Sequence, residues 1–105
     1  MAEKTINSKV MKVVRYFVER LREDGIKVSK VVVFGSQALG NMRKDSDIDI
    51  IVVSENFRRK NLFKRVDMIY KAYSATVDEF VVPMDIVAET PEEFNPDFGV
   101  VVYAA

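Results

Sequence analysis

Three aspartates are the side chains of this sequence best suited to chemistry. Asp47 and Asp49 stand at the start of an apolar segment, and Asp85 lies inside another one. Residues two apart in a β-strand project from the same face, so Asp47 and Asp49 are expected to lie side by side. Like charges so close together are relieved by a shared proton or a bound cation. Histidine and cysteine are absent, so a metal site would use oxygen ligands only, which suits Mg²⁺ or Mn²⁺.

Gly35 and Ser36 form a second candidate element, directly after an apolar stretch over 28–34. A helix is predicted to begin at Ser36, and the free amides of a helix N-terminus attract phosphate. Gly35 would let the backbone approach a ligand closely, and Ser36 would add a hydroxyl donor. If Asp85 faces the same side as Asp47 and Asp49, three carboxylates could hold two metal ions that bridge a triphosphate and activate a hydroxyl.

Plainer interpretations of these residues remain open at this point. Asp47 and Asp49 are of a type common in solvated turns, and Asp85 could be an ordinary strand residue beside Pro83. Ser36 could serve only as a helix cap.

The elements that would position these residues follow from apolar periodicity. A helix is predicted over 9–21, ended by Gly25, with strands over 28–34 and 48–53, the latter central. A second helix is expected after Asn56. Its basic run from Arg58 to Arg65 is interpreted as a solvated face rather than as a binding site for a triphosphate, an RNA or an acidic partner. A strand is predicted between 77 and 88, at a sheet edge or with a bulge because of Pro83.

The end of the chain carries two further signals. Thr90 and Glu93 fit a capping box that begins a short helical turn, and 98–103 is predicted to form a last strand. The tyrosines at 16, 70 and 73 and the phenylalanines stand at periodic apolar positions and are assigned to the core.

Together these elements predict an α/β (α+β) fold: a mixed sheet of about four to five strands with helices packed against it. The 105 residues, 49% of them apolar, are enough for one domain spanning 1–105. A net charge of zero argues against a general nucleic-acid binder. The sequence shows neither a signal segment nor a membrane span, so a cytoplasmic location is expected.

The motif of Gly35-Ser36, ten intervening residues and Asp47-Ile48-Asp49 resembles the signature of the DNA polymerase beta nucleotidyltransferase superfamily. The short chain is similar in particular to its minimal, antitoxin-type members. The similarity is strongest over about 31–53, with weaker support at 84–94. It implies a nucleotidyltransferase-like fold that uses ATP as substrate and two Mg²⁺ ions as cofactors.

The resemblance also implies a role for each residue of the motif. Asp47 and Asp49 would bind both Mg²⁺ ions, and Asp85 would bind the catalytic one. Gly35 and Ser36 would contact the nucleotide phosphates, joined by Arg43 at a position that is often basic.

The implied activity is transfer of AMP from ATP to a hydroxyl, with pyrophosphate leaving. Minimal members of the family are paired with HEPN-domain toxins and adenylylate a tyrosine on them, so a HEPN-domain protein is the expected partner. Gln37 and Leu39 stand where many members carry arginine. This departure keeps a second hypothesis open, a binding module that sequesters its partner without chemistry. Transfer to RNA or to a small molecule is a third, disfavoured because no second domain is present to hold such an acceptor.

Overall fold

The computed structural model describes residues 8–35 and 47–105. These residues form helices α1 (Ser8–Glu23) and α2 (Leu62–Phe80), strands β1 (Lys30–Phe34), β2 (Ile48–Val53), β3 (Met84–Glu89) and β4 (Val100–Ala104), and a short 3-10 turn at Glu55–Phe57. Neither α1 nor α2 combines the length and the apolar character needed to cross a membrane.

The four strands form one mixed sheet in the order β3-β2-β1-β4. The β2–β3 pair is parallel, whereas β1 pairs antiparallel with both β2 and β4. The predicted α+β fold is confirmed, and so is the central position of β2. Strand β3 begins directly after Pro83 and lies at an edge of this sheet, as expected from a residue that cannot donate a ladder hydrogen bond.

Both helices pack on one face of the sheet. Helix α1 buries one apolar stripe there, and the strands meet it with alternate side chains of β1 and β2. The members of this stripe are Val10, Val13, Val14, Phe17, Val18 and Leu21. Each such side chain contributes roughly 1.5–3 kcal/mol relative to exposure, so burial of this stripe holds α1 in place.

The opposite face of the sheet, here called the open face, carries the other alternate side chains. They come from Val32 and Phe34 of β1, from Asp49, Ile51 and Val53 of β2, and from Asp85, Val87 and Glu89 of β3. A small apolar cluster on this face is covered by Phe94, from the segment between β3 and β4. Among the residues that the structure describes, the cover of the open face is therefore only partial, and Asp49 and Asp85 lie beside this small apolar cluster.

Helix α2 is longer than predicted, and the strand expected from 77 begins only at Met84. Val77 and Phe80 are of types that favour strands, but they continue the helical spacing set by Ile69 and Ala72 and pack on the same core. Buried periodicity therefore outweighs local strand propensity. The helix ends at Val81, which adopts a left-handed backbone with φ of 52°.

The assignment of three tyrosines (16, 70 and 73) and of the phenylalanines to the core is wrong for three of these residues. Phe63 is 82% exposed, Tyr70 is 61% exposed and Phe98 is 46% exposed. Phe63 and Tyr70 lie on the side of α2 that faces away from α1 and the sheet core, so their apolar spacing does not reflect burial in this chain.

The predicted capping box is confirmed at the turn after β3. The Thr90 N–H donates to Glu93 Oε1 at 2.8 Å, and the Glu93 N–H donates to Thr90 Oγ1 at 3.3 Å. Arg65 of α2 joins this turn, with Nη1 donating to Glu93 Oε1 at 2.7 Å and to the Ala88 carbonyl at 2.9 Å. Its side chain is only 13% exposed, so the solvated interpretation of the basic run is wrong at Arg65. This residue helps to hold Phe94 over the open face.

The Arg65–Glu93 pair makes stability depend on acid pH. The hydrogen bond from Arg65, followed by the Thr90 backbone amide, lowers the pKa of Glu93 from 4.5 to about 2. Because the folded pKa is the lower one, the stabilisation is complete above about pH 4.5 and is lost as the pH falls towards 2. We expect Glu93→Gln to lower the free energy of unfolding at pH 7 by about 1 kcal/mol, a figure reduced for solvent exposure.

Urea unfolding from pH 7 down to pH 2 measures this effect. The difference between wild type and Glu93→Gln is expected to shrink across that range. Glu79→Gln, at an exposed position on α2, controls for the loss of one carboxylate. A difference between wild type and Glu93→Gln that stays constant down to pH 2 would contradict the assignment.

Candidate active site

Asp49 and Asp85 lie next to each other because β2 and β3 pair in parallel with these two residues in register. On the other side of β2, Phe34 is the register partner of Asp49. Paired residues of neighbouring strands project from the same face, so Phe34, Asp49 and Asp85 form one row across the open face. The structure thus brings together two of the three aspartates predicted from the sequence.

The two carboxyl groups are coupled electrostatically. Burial raises the pKa of Asp49, and so do the negative charge of Asp85, a hydrogen bond between the two carboxyl groups, and the charge of Asp47. Each of these effects disfavours the ionised form of Asp49, whereas a cation bound nearby would favour it.

Asp47 precedes β2 and is exposed, close enough for its charge to act on Asp49. Within residues 8–35 and 47–105, no cluster of three or more acidic side chains is arranged to hold a metal ion. The structure thus forms an Asp49–Asp85 pair with Asp47 nearby, and the three-aspartate ligand set remains a prediction.

Gly35 ends β1 with φ of 72° and lies against Asp49. A Cβ atom at this position would collide with Oδ2 of Asp49, so only glycine lets the turn approach the carboxylate this closely. The predicted glycine therefore touches the aspartate pair. The predicted phosphate ligands Ser36 and Arg43 lie outside the described residues, and their roles remain predictions, as does the phosphate contact of Gly35.

A pocket of about 330 Å³ adjoins the aspartate pair on the open face. It is mainly apolar and is lined by Phe34, Ile51, Val87, Glu89, Glu93, Phe94, Asn95 and Phe98. Burial and the charge of Glu93 raise the pKa of Glu89, while the charge of Arg65 opposes the shift. We call this cavity the open-face pocket.

The sequence interpretation missed the open-face pocket, because it assigned every phenylalanine to the core. A usable signal was present in the strands. Ile51 and Val87 are apolar, yet they lie on the open face, opposite the face that buries Ile48 and Ile50. Their apolar character indicates that other apolar side chains pack on the open face.

Two helices on one face of a β3-β2-β1-β4 sheet, with a glycine turn against paired aspartates on the other, define the nucleotidyltransferase-like fold class. The family model described as the nucleotidyltransferase domain matches residues 14–102. The chain belongs to this family and is a nucleotidyltransferase enzyme. No curated protein sequence matches the chain.

Solved structures with the same fold include a candidate nucleotidyltransferase from Sulfolobus solfataricus, 22% identical, with a TM-score of 0.62 over 98% of this chain and 97% of that one. A toxin–antitoxin complex with AMP-PNP aligns at 16% identity and a TM-score of 0.60, covering 90% and 73% of the two chains. A mutant of the toxin–antitoxin pair MntA-HpeT aligns at 15% identity with a TM-score of 0.55, over 99% of this chain and 75% of that one.

The fold is also similar to that of BolA1 from Arabidopsis thaliana, 22% identical, with a TM-score of 0.51 over 75% of this chain and 96% of that one. Likeness at such identities reports the fold and not the activity. Membership of the family rests on the match to its sequence model over 14–102.

The collision at Gly35 leads to a prediction. We expect Gly35→Ala to lower the free energy of unfolding by about 2 kcal/mol or more, because it adds both a left-handed backbone strain and a clash with Asp49. Gly25→Ala is the matched control, since Gly25 has φ of 82° but nothing within 4 Å of the added Cβ. Gly25→Ala should show the backbone strain alone.

Denaturant unfolding of both variants separates the two contributions. A larger loss for Gly35→Ala supports the contact between the turn and Asp49. Equal losses in the two variants would show that the clash with Asp49 is absent.

Proposed function

We propose that this protein transfers AMP from ATP to a hydroxyl group of a partner protein and acts as an antitoxin. The observation that carries the proposal is the Asp49–Asp85 pair lying against the Gly35 turn in a chain of the nucleotidyltransferase family. Structural similarity to two toxin–antitoxin complexes, one of them with AMP-PNP, supports the antitoxin role and the nucleotide.

The donor atoms fit Mg²⁺ as the cofactor. Asp49 and Asp85 supply carboxylate oxygens whose mutual repulsion a hard cation would offset, and Asp47 lies close by. These three residues would hold the metal. When bound, Mg²⁺ neutralises phosphate charge and lowers the pKa of a hydroxyl.

The remaining residues of the motif have separate roles in the proposed reaction. Gly35 would lie against the phosphates, with Ser36 and Arg43 as further contacts. The acceptor oxygen attacks the α-phosphorus, the bond from the α-phosphorus to the bridging oxygen breaks, and pyrophosphate leaves. The hydroxyl proton passes to a carboxylate oxygen of Asp85, which is exposed on the edge strand and can release it to water.

An exposed apolar strip on α2 supports a protein partner. Leu62, Phe63, Val66 and Tyr70 are all exposed along the first half of the helix. Exposed clusters of large apolar side chains mark interaction sites more often than isolated ones do. Lys60 precedes this stretch and Lys64 lies within it. The partner surface is therefore expected to be apolar with an acidic rim. The family resemblance implies that this partner is a HEPN-domain toxin.

A second candidate function is a binding module that sequesters the toxin without chemistry. The same apolar strip would serve this role, and Gln37 and Leu39 replace arginines that many relatives carry. Transfer of AMP distinguishes the two functions.

We expect Asp49→Asn to reduce AMP transfer at least about 100-fold, because it removes a charge needed to bind the metal. The measurement uses ATP labelled at the α-phosphate, Mg²⁺ and, as acceptor, the protein encoded by the adjacent gene. Asp78→Asn, at an exposed position near the end of α2, should transfer label at the wild-type rate. Wild-type transfer by Asp49→Asn would refute the active site. Tight binding of the partner without any transfer by the wild type would favour the binding module.

We expect Phe63→Asp to weaken binding of the same partner by about 10- to 100-fold, because it places a charge within the apolar strip. Isothermal calorimetry of the complex measures the loss. Val81→Asp is the matched control, since Val81 is 83% exposed and Phe63 82%, but Val81 lies at the far end of the helix. Equal affinity of the wild type and Phe63→Asp would exclude the strip as the docking surface.

A further inference from the structure

We propose that the outer edge of β4 binds the same edge of a second copy of this chain, so that two four-stranded sheets join into one sheet of eight strands. Such a dimer goes beyond the proposed function and does not depend on transferase activity. Its contact surface consists of β4 and the side of α1 that lies next to it.

The two edges of the sheet differ in charge. Strands β3 and β4 are the outer ones, and no strand within residues 8–35 and 47–105 pairs with the outer side of either. β3 carries Asp85 and Glu89, and charged side chains on an edge strand oppose pairing with another strand. β4 has the sequence VVVYA, without charge or proline. An uncharged edge strand is a template for another strand, so β4 is the edge suited to pairing.

A bulge limits how long the new ladder can be. The register between β1 and β4 shifts between Val31 and Val32, which leaves Val102 as an extra residue of β4. A bulge bends the strand and interrupts regular pairing. The backbone of β4 therefore supplies only a short ladder, and the helix layer has to contribute the rest of the contact.

Helix α1 lies along the same side of the molecule as β4. Arg22 donates a hydrogen bond to Oη of Tyr103, and its guanidinium lies 5.6 Å from the centre of that ring. A groove of about 200 Å³ runs between the two elements, lined on α1 by Met11, Arg15, Glu19 and Arg22 among others, and on β4 by Val102 and Tyr103. A second copy that pairs with β4 therefore meets α1 as well.

The exposed charges of α1 favour a second copy as the occupant. Arg15 and Glu19 stand one helical turn apart, are both exposed, and form no ion pair with another described residue. Antiparallel pairing of β4 with its copy creates a two-fold axis perpendicular to the sheet, which also runs the two α1 helices antiparallel. The groove extends from Met11 to Arg22, so its centre lies between the two charges. Arg15 of each copy then faces Glu19 of the other, and the surface is complementary to itself.

The size of this surface predicts a weak dimer. Helix α1 has 16 residues and is roughly 24 Å long, and a helix layer with its sheet is roughly 20 Å deep. These dimensions give about 500 Å² per copy and about 1,000 Å² in total, which is at the lower limit for a specific interface. We expect a dissociation constant of roughly 10 to 100 µM.

Both candidate active sites open to the same side of this dimer. A two-fold axis perpendicular to the sheet leaves the two open faces on one side. The boundary between β2 and β3 lies three strand spacings from the axis, so the two Asp49–Asp85 pairs are roughly 30 Å apart.

Sedimentation velocity of the whole chain, from about 1 to 300 µM, tests the dimer. The wild type is expected to pass from monomer to dimer over this range. Val101→Lys places a charge on the edge strand β4 and should raise the dissociation constant at least tenfold. Val87→Lys is the matched control and should leave it within twofold of wild type. Val87 is 43% exposed and Val101 49%, and both lie on edge strands, but Val87 belongs to β3.

Charge reversal tests the contact between the two α1 helices. Arg15→Glu and Glu19→Arg, made singly, place like charges opposite each other and should each weaken the dimer at least fivefold. The double variant restores opposite charges and should bring the dissociation constant back to within twofold of wild type. Glu79→Arg, the same change of charge at an exposed position of α2, should leave the dimer unchanged. Circular dichroism checks that each variant keeps its helices.

A wild-type chain that stays monomeric throughout the concentration range would overturn the proposal. Equal effects of Val87→Lys and Val101→Lys would also contradict it, and so would a double variant that stays as weak as the single ones. If the wild type is monomeric and Val101→Lys weakens binding of the partner protein instead, a strand of another protein occupies this edge and the second copy is the wrong occupant.

Discussion

The close approach of two carboxyl groups, Asp49 and Asp85, is the constraint on which the rest of the site depends. It follows from the parallel register of β2 and β3, and it works only because glycine at position 35 leaves room for Oδ2 of Asp49. Both helices pack on the other face and therefore do not cover this pair. Within residues 8–35 and 47–105, one side of the sheet thus stays partly uncovered and carries these acidic side chains.

The features of the site that could be predicted from the sequence are those that short, local residue patterns determine. The β-branched run over 48–53 predicted the bounds of β2, and the period of two predicted that Asp49 lies on the face opposite Ile48 and Ile50. The capping box at Thr90 and Glu93 formed as expected. In a β-strand the period of two decides which face each residue occupies. Structure of this kind depends on neighbouring residues and little on contacts with distant segments of the chain.

What could not be predicted depends on contacts between distant segments. Arg65 belongs to a basic run in sequence, yet it is largely buried because the turn after β3 returns to it. Phe94 and Phe98 were assigned to the main core, whereas they cover the second face of the sheet. Phe63 has the spacing of a core residue and is exposed, because helical periodicity does not reveal whether a second apolar face is covered within the chain or by another molecule.

The raised pKa of Asp49 has a consequence for how such a protein can evolve. Ionisation of Asp49 opposes folding, so replacing this residue by asparagine, a neutral residue of similar shape, removes that cost. Loss of the charge at this position then favours folding, and it leaves the exposed apolar strip on α2 unchanged. Chains of this fold can therefore lose the charge without any compensating substitution, and the carboxylate persists only under continued selection for it.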